Sequence, residues 1–99
     1  MNTVKFTIDE VIAIVMSEVD SLEAEMLYGL QNEELDLPML IQEKLNKMSG
    51  EYYTDFINEI EEMSKDILHI KTGELNELNR CHEEIAILAE ENLQDYLEL

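Results

Sequence analysis

Two short segments carry residue types that perform chemistry in proteins. Asp66 and His69 lie three residues apart, and Cys81 and His82 are adjacent. Carboxylate, imidazole and thiolate groups bind zinc, and a thiol beside a histidine is a common pairing for nucleophilic catalysis. Adjacent helical residues point about 100° apart, however, so Cys81 and His82 are poorly placed to grip one ion.

The surroundings of Cys81 also argue against a reactive thiol. A low thiolate pKa requires a positive neighbourhood, and apart from Arg80 the nearby charges are acidic. No pair of Glu-x-x-His motifs suggests a di-iron bundle, and the three glycines stand alone instead of forming a phosphate-binding loop. We therefore expect no catalytic site, no metal and no cofactor, and we interpret Cys81 as a core residue.

The charge balance is the strongest functional signal in the sequence. The 99 residues include 24 Asp and Glu against 6 Lys and Arg, a formal net charge of −18. Such a charge argues against direct binding to nucleic acid or anionic lipid, both of which require basic residues at phosphates. We expect a basic protein as the partner.

Hydrophobic patterning indicates a folded chain outside the membrane. Apolar residues make up 45% of the sequence and recur periodically, which is not typical of an acidic disordered tail. No apolar run approaches the ~20 residues that span a bilayer, and the N-terminus lacks a cleavage site for secretion. With a single cysteine, Cys81, these features favour a cytoplasmic location.

The elements that must position the charges are helices. Thr7 and Glu10 form a capping box before an apolar stripe that ends at Gly29, which predicts a first helix over 8–29. Pro38 opens a short second helix, and Ser49-Gly50 marks either a break or a bend before a third helix that ends at Gly73. A fourth helix is predicted to run to the C-terminus. The fold class is all-α: one domain over 1–99, a small acidic bundle of three to four helices.

The inward stripes follow helical spacing. The third helix is predicted to bury Tyr53 with Phe56 and the isoleucines that follow, and the fourth to bury either Cys81 or His82. Four apolar residues are surplus to the stripes, and a homodimer is one way to cover them: Ile14, Met16, Leu27 and Ile87.

Acidic residues recur on the exposed sides of these helices. On the third helix the acids are spaced four, three and four residues apart, which makes a line about 16 Å long. Heptad-spaced acids follow on the fourth helix, and further acids lie on the first. The candidate partner-binding residues are Asp55, Glu59, Glu62, Asp66, Glu84, Glu91, Glu18 and Glu25.

Few lysines are placed to compensate these acids. Only Glu61 with Lys65 and Glu43 with Lys47 have the favourable orientation four residues apart, while Asp55 with Glu59 is a like-charge pair. Solubility alone asks a small domain for a net charge of only roughly 2 to 8. We interpret the acidic lines as an imitation of the phosphates of a nucleic-acid duplex, which predicts competitive inhibition of a DNA-binding enzyme.

Three other interpretations stay open beside DNA mimicry. Acidic helical faces often serve only to keep a protein in solution. An immunity-type protein that neutralises a basic toxin uses the same electrostatic attraction, so charge does not separate it from a DNA mimic. An acidic helical adaptor is the third interpretation, and its complexes would resist salt because apolar contacts dominate them.

Two segments carry a resemblance to a known family. The sequence over 51–56 is EYYTDF, and LQDYLE follows over 93–98. The paired tyrosines ahead of an acid and an apolar residue, with a Tyr-Leu-Glu near the C-terminus, resemble the Ocr-like restriction-evasion proteins of phages. The resemblance implies an all-helical acidic dimer in the host cytoplasm that mimics DNA and blocks a restriction enzyme. Acidic anti-CRISPR proteins use the same mechanism on other folds.

Overall fold

The computed structural model describes residues 4–29, 37–73 and 78–98. Within these ranges the secondary structure is helical apart from one isolated bridge, which confirms the predicted all-α bundle. The elements are α1 (Ile8–Tyr28), α2 (Met39–Lys47), α3 (Gly50–Lys71), α4 (Leu78–Asn92) and a 3-10 turn (Gln94–Tyr96).

Both ends of α1 form as its local sequence predicts. The Glu10 amide donates to the Thr7 hydroxyl at 3.1 Å, and the Thr7 amide donates to the Glu10 carboxylate at 2.9 Å. At the other end Gly29 has φ 66°, a left-handed conformation that glycine adopts without steric cost. These caps satisfy backbone groups that a helix end leaves without partners.

Ser49-Gly50 is a break between two helices. Helix α2 ends at Lys47, and both Met48 and Ser49 are extended before α3 begins at Gly50. Gly50 has φ 60°, so the start of α3 also uses a conformation that favours glycine. The short α2 is therefore free to leave the direction of α3.

The prediction that the fourth helix runs to the C-terminus is wrong. Helix α4 ends at Asn92, and the chain then turns and runs beside the N-terminal segment. The Phe6 amide donates to the Tyr96 carbonyl at 2.7 Å, and the Glu98 amide donates to the Phe6 carbonyl at 2.8 Å. This pairing supplies non-local backbone bonds that continued helix would not make.

Contacts at both ends fix the directions of the long helices. Phe6, just before α1, stacks on Phe56 near the start of α3, with ring centroids 4.9 Å apart. Near the other end, Lys71 of α3 donates to Asp20 in the second half of α1. Helices α1 and α3 therefore run parallel. Tyr96, which follows α4, packs 5.1 Å from the Phe56 ring, so α4 runs antiparallel to both.

The core lies between α1, α3 and α4. The observed burial of several side chains differs from the predicted burial or decides between alternatives. Ile14 is 1% exposed, so it belongs to the core and needs no second subunit to cover it. Tyr53 is 39% exposed, contrary to its predicted inward position, whereas Cys81 is fully buried and His82 is exposed. The buried apolar side chains form one cluster, which includes Phe6, Val11, Val15, Val19, Phe56, Ile60, Met63, Ile67, Ile85, Ala89 and Leu93.

Candidate functional site

Helix α3 presents the predicted line of acids along one flank. Its buried positions face the core and fix the rotation of the helix: Phe56, Ile60, Met63 and Ile67. At about 100° per residue, the acids lie roughly 110° around the helix from that buried face. Along this line Glu59 is half-buried and the other three side chains are exposed: Asp55, Glu62 and Asp66. The packing of α3 therefore holds the carboxylates in a row on a supported helix.

The C-terminal turn places the Asp95 carboxylate near one end of this line, and Lys5 donates to the backbone carbonyl of the same residue. Burial raises the pKa of the Tyr96 hydroxyl, and the nearby charges of Asp55, Asp95 and Glu59 raise it further, together with Tyr52. Asp55, Glu59 and Asp95 therefore all lie near one tyrosine, although Asp95 is on a different element. The sequence spacing gave no sign that Asp95 joins the α3 acids, because a turn and not a helix carries it.

Lysines neutralise few of the proposed partner-binding acids. Lys65 lies 3.8 Å from Glu62 instead of pairing with Glu61, and both side chains of this pair are largely exposed. In the described part of the chain, no ion pair or hydrogen bond engages the carboxylates of Asp55, Glu59 or Asp66. This flank therefore keeps most of its negative charge.

The better-buried lysines hold the ends of the bundle. Lys71 donates to Asp20 at 2.7 Å and to Glu23 at 3.2 Å. Burial alone would lower the pKa of Lys71, but the hydrogen bonds to these two acids outweigh it and raise the pKa. These contacts tie the second half of α1 to the last residue of α3.

At the other end Lys44 of α2 donates to Glu10 at 2.7 Å and lies 5.6 Å from the centre of the Phe6 ring. Burial would raise the pKa of Glu10, but the hydrogen bonds from Lys44 and Thr7 lower it overall. The cations at both ends thus act in the fold and do not neutralise the acid line.

Glu18 and Glu25 are not on the same flank as the α3 acid line. They line a groove between α1 and α3 together with Glu61. Burial raises the pKa of Glu18, and the charges of Glu61 and Glu25 raise it further. The eight predicted residues therefore do not form one surface, and Glu61 is a member of this second group that the candidate set omitted.

The remaining two predicted residues lie on α4. Glu84 is half-buried and Glu91 is exposed, and their separation of seven positions corresponds to two turns, about 10 Å. Both lie on the flank of α4 that carries the partly buried Leu88. They add charge on the helix that packs directly against α3.

The cysteine and histidines considered above for chemistry differ in their exposure to solvent. Cys81 is fully buried, and burial raises the pKa of its thiol, so the thiolate is disfavoured. His69 and His82 are exposed. Over 4–29, 37–73 and 78–98 no three His, Cys, Asp or Glu side chains are grouped so that they could hold a metal ion.

In the ranges above, each helix is too short or too polar to cross a bilayer. Comparison of the chain with protein-family models, with curated proteins and with solved structures gives no match. The resemblance to the Ocr-like family therefore rests on the two quoted segments alone.

Proposed function

We propose that this protein is a DNA mimic that inhibits a nucleic-acid-handling defence enzyme of its host, a restriction enzyme or a CRISPR effector, by occupying the positively charged groove. One observation carries the proposal: the acid line of α3 stays almost free of cations, on a helix whose adjoining side is fixed in the core. No catalytic step is required of the inhibitor.

Charge density supports this choice of partner. Four carboxylates over about 16 Å give one charge per roughly 5 Å, which is sparser than the one per 3.4 Å along a single DNA strand. Asp95 on the C-terminal turn and Glu84 and Glu91 on α4 add carboxylates near α3 or on the helix that packs against it, so this part of the molecule carries more charge than the α3 line alone.

A basic groove would attract this surface for the reason that it attracts DNA. Lysines and arginines that bind phosphates create a long-range field, which accelerates encounter with any body of matching negative charge. The inhibitor needs no sequence-specific contact, because phosphate contacts position DNA without reading its bases. Occupation of the groove then excludes the nucleic acid.

Charge reversal tests the proposal on the α3 line. Glu59→Lys with Glu62→Lys changes two acids of the line, and Glu83→Lys with Glu90→Lys makes the same net change at exposed positions on the outer side of α4. Inhibition of DNA cleavage is measured against a panel of purified restriction enzymes and CRISPR nucleases at one ionic strength. We expect the α3 pair to weaken inhibition at least about tenfold and the α4 pair less than about threefold.

Circular dichroism checks that both double variants keep their helical content. Equal losses of inhibition from the two double variants would show that only the net charge of the protein matters. The α3 line would then not be the interface. Failure of the unaltered protein to inhibit any enzyme of the panel would count against the proposed target class.

A further inference from the structure

A groove between α1 and α3 lies on the other flank of α3 from the acid line. It encloses about 340 Å³, and its walls combine two kinds of surface. Half-buried or partly exposed apolar side chains form the floor: Leu22, Ile57 and Tyr53. Carboxylates lie at its edges: Glu18, Glu25 and Glu61. An apolar strip bordered by acids differs from an evenly solvated charged face.

The three edge carboxylates share no cation. In the described residues, Lys65 pairs with Glu62, and Lys71 pairs with Asp20 and Glu23. The raised pKa of Glu18 has burial as its largest cause and the charges of Glu61 and Glu25 as the next. A cation brought to this edge would offset the repulsion among the carboxylates and the cost of burying Glu18.

A second depression lies farther along the same two helices. It encloses about 370 Å³ and is lined by Met26, Leu68 and Thr72, with Lys65 and His69 at its outer side. From Tyr53 to Leu68 along α3 is about 22 Å, the length of a helix of roughly 15 residues. The two depressions together extend over the length of a docked helix of about four turns.

Charge excludes two occupants of this groove. A second copy of the chain would bring a net charge of −18 and only 6 basic residues to an acidic edge. Nucleic acid would bring phosphates to the same carboxylates. The occupant that complements both the floor and the edges has apolar and basic residues together.

We propose that the α1–α3 groove binds an amphipathic helix of a partner protein, with an apolar stripe on Leu22, Tyr53 and Ile57 and lysines or arginines paired to Glu18, Glu25 and Glu61. Apolar anchors at the spacings i, i+3, i+4 and i+7 match a helix laid in a groove. Burial of the apolar stripe supplies affinity, and charge-assisted hydrogen bonds fix the register. This proposal is independent of the DNA-mimic proposal, since it uses the other flank of α3.

The probe is a synthetic helical peptide of about 15 residues, with leucines at the spacings i, i+3, i+4 and i+7 and with lysine and arginine beside them. Its control has the same composition in scrambled order, so that net charge is equal and the apolar stripe is lost. Binding to the full-length protein is measured by calorimetry and mapped by amide chemical shifts. We expect the ordered peptide to bind at least about tenfold more tightly than the scrambled one.

Two matched variants locate the contact. Glu18→Gln with Glu61→Gln removes two edge charges, whereas Asp66→Asn with Glu91→Gln removes two charges outside the groove. We expect the first pair to weaken binding about fivefold or more and the second less than about twofold. Shift changes should centre on Leu22, Tyr53 and Ile57. Equal binding of both peptides, no binding, equal losses in both variants, or shifts centred on Asp55 and Glu59 would each overturn the proposal.

Discussion

The two flanks of α3 carry acids in different settings. On the side near Tyr96, a row of exposed or half-buried carboxylates follows α3. On the side near α1, Glu18, Glu25 and Glu61 border an apolar groove, where burial raises the pKa of Glu18. Acidic residues thus create a long-range electric field on one flank, and on the other they border an apolar surface at short range.

This difference has a consequence for how each flank responds to salt. Interactions between exposed charges are screened over a Debye length of about 8 Å at physiological ionic strength. Binding through the acid line should therefore weaken strongly as salt is added. Binding in the groove should retain more of its affinity, because apolar burial does not depend on charge.

The largest expected effect is a loss of stability from a substitution in the core, which holds both flanks of α3 in place. Phe56→Ala deletes a fully buried ring that stacks on Phe6 and packs against Tyr96, and such a truncation costs about 3–5 kcal/mol. The free energy of unfolding, measured by urea denaturation, should fall by that amount. Tyr53→Ala is the control, with an expected loss of at most about 1 kcal/mol since its side chain is partly exposed. Similar losses would show that the aromatic stack is not a central part of the core.

A smaller effect separates structural from surface lysines. Lys71→Gln removes two short contacts to Asp20 and Glu23 from a side chain that is 17% exposed, and it should cost about 1–2 kcal/mol. Lys65→Gln removes one 3.8 Å contact from a side chain that is 66% exposed, and it should cost no more than about 0.5 kcal/mol. Thermal unfolding at low salt measures both. A loss from Lys65→Gln as large as that from Lys71→Gln would contradict the assignment of Lys71 to the fold.

The smallest expected effect is a gain in stability from replacing Glu18 in the groove. The folded pKa of Glu18 lies above its ordinary value of 4.5, chiefly because of burial, so folding opposes its ionisation. Glu18→Gln should therefore stabilise the protein at neutral pH, by a few tenths of a kcal/mol given its partial exposure. The gain should shrink as the pH falls towards 4.5, because the unaltered protein then binds the proton itself. Melting temperatures of both proteins across this range check the sign, and a gain that is constant with pH would disprove it.

Local sequence predicts much of the fold because helix ends depend on neighbouring residues. The capping box at Thr7 and the left-handed Gly29 lie within a few residues of the groups they satisfy. The end of α4 at Asn92 was missed, since the competing structure pairs Leu97 with Phe6 across almost the whole chain. Tyr52, whose hydroxyl donates to the Val4 carbonyl at 2.7 Å, is held by the same non-local packing, whereas spacing alone favours Tyr53 as the buried tyrosine.

The acid line could be predicted from spacing because one helix carries all four of its members. The division of the remaining acids could not, since it depends on which helix packs on which flank of α3. Glu61 and Glu62 are adjacent, yet Glu61 lines the groove and Glu62 belongs to the acid line. A rotation of about 100° around the helix separates them, and only the tertiary packing decides which of the two faces the groove.

Mutual exclusion with DNA tests the central claim most directly. A defence enzyme that the protein inhibits is immobilised, saturated with the protein, and then titrated with duplex DNA at constant ionic strength. We predict that the amount of protein released rises with the amount of duplex DNA that the enzyme binds, because the acid line and the phosphates use one basic groove. A stable complex in which the enzyme holds both the protein and the duplex would contradict the account.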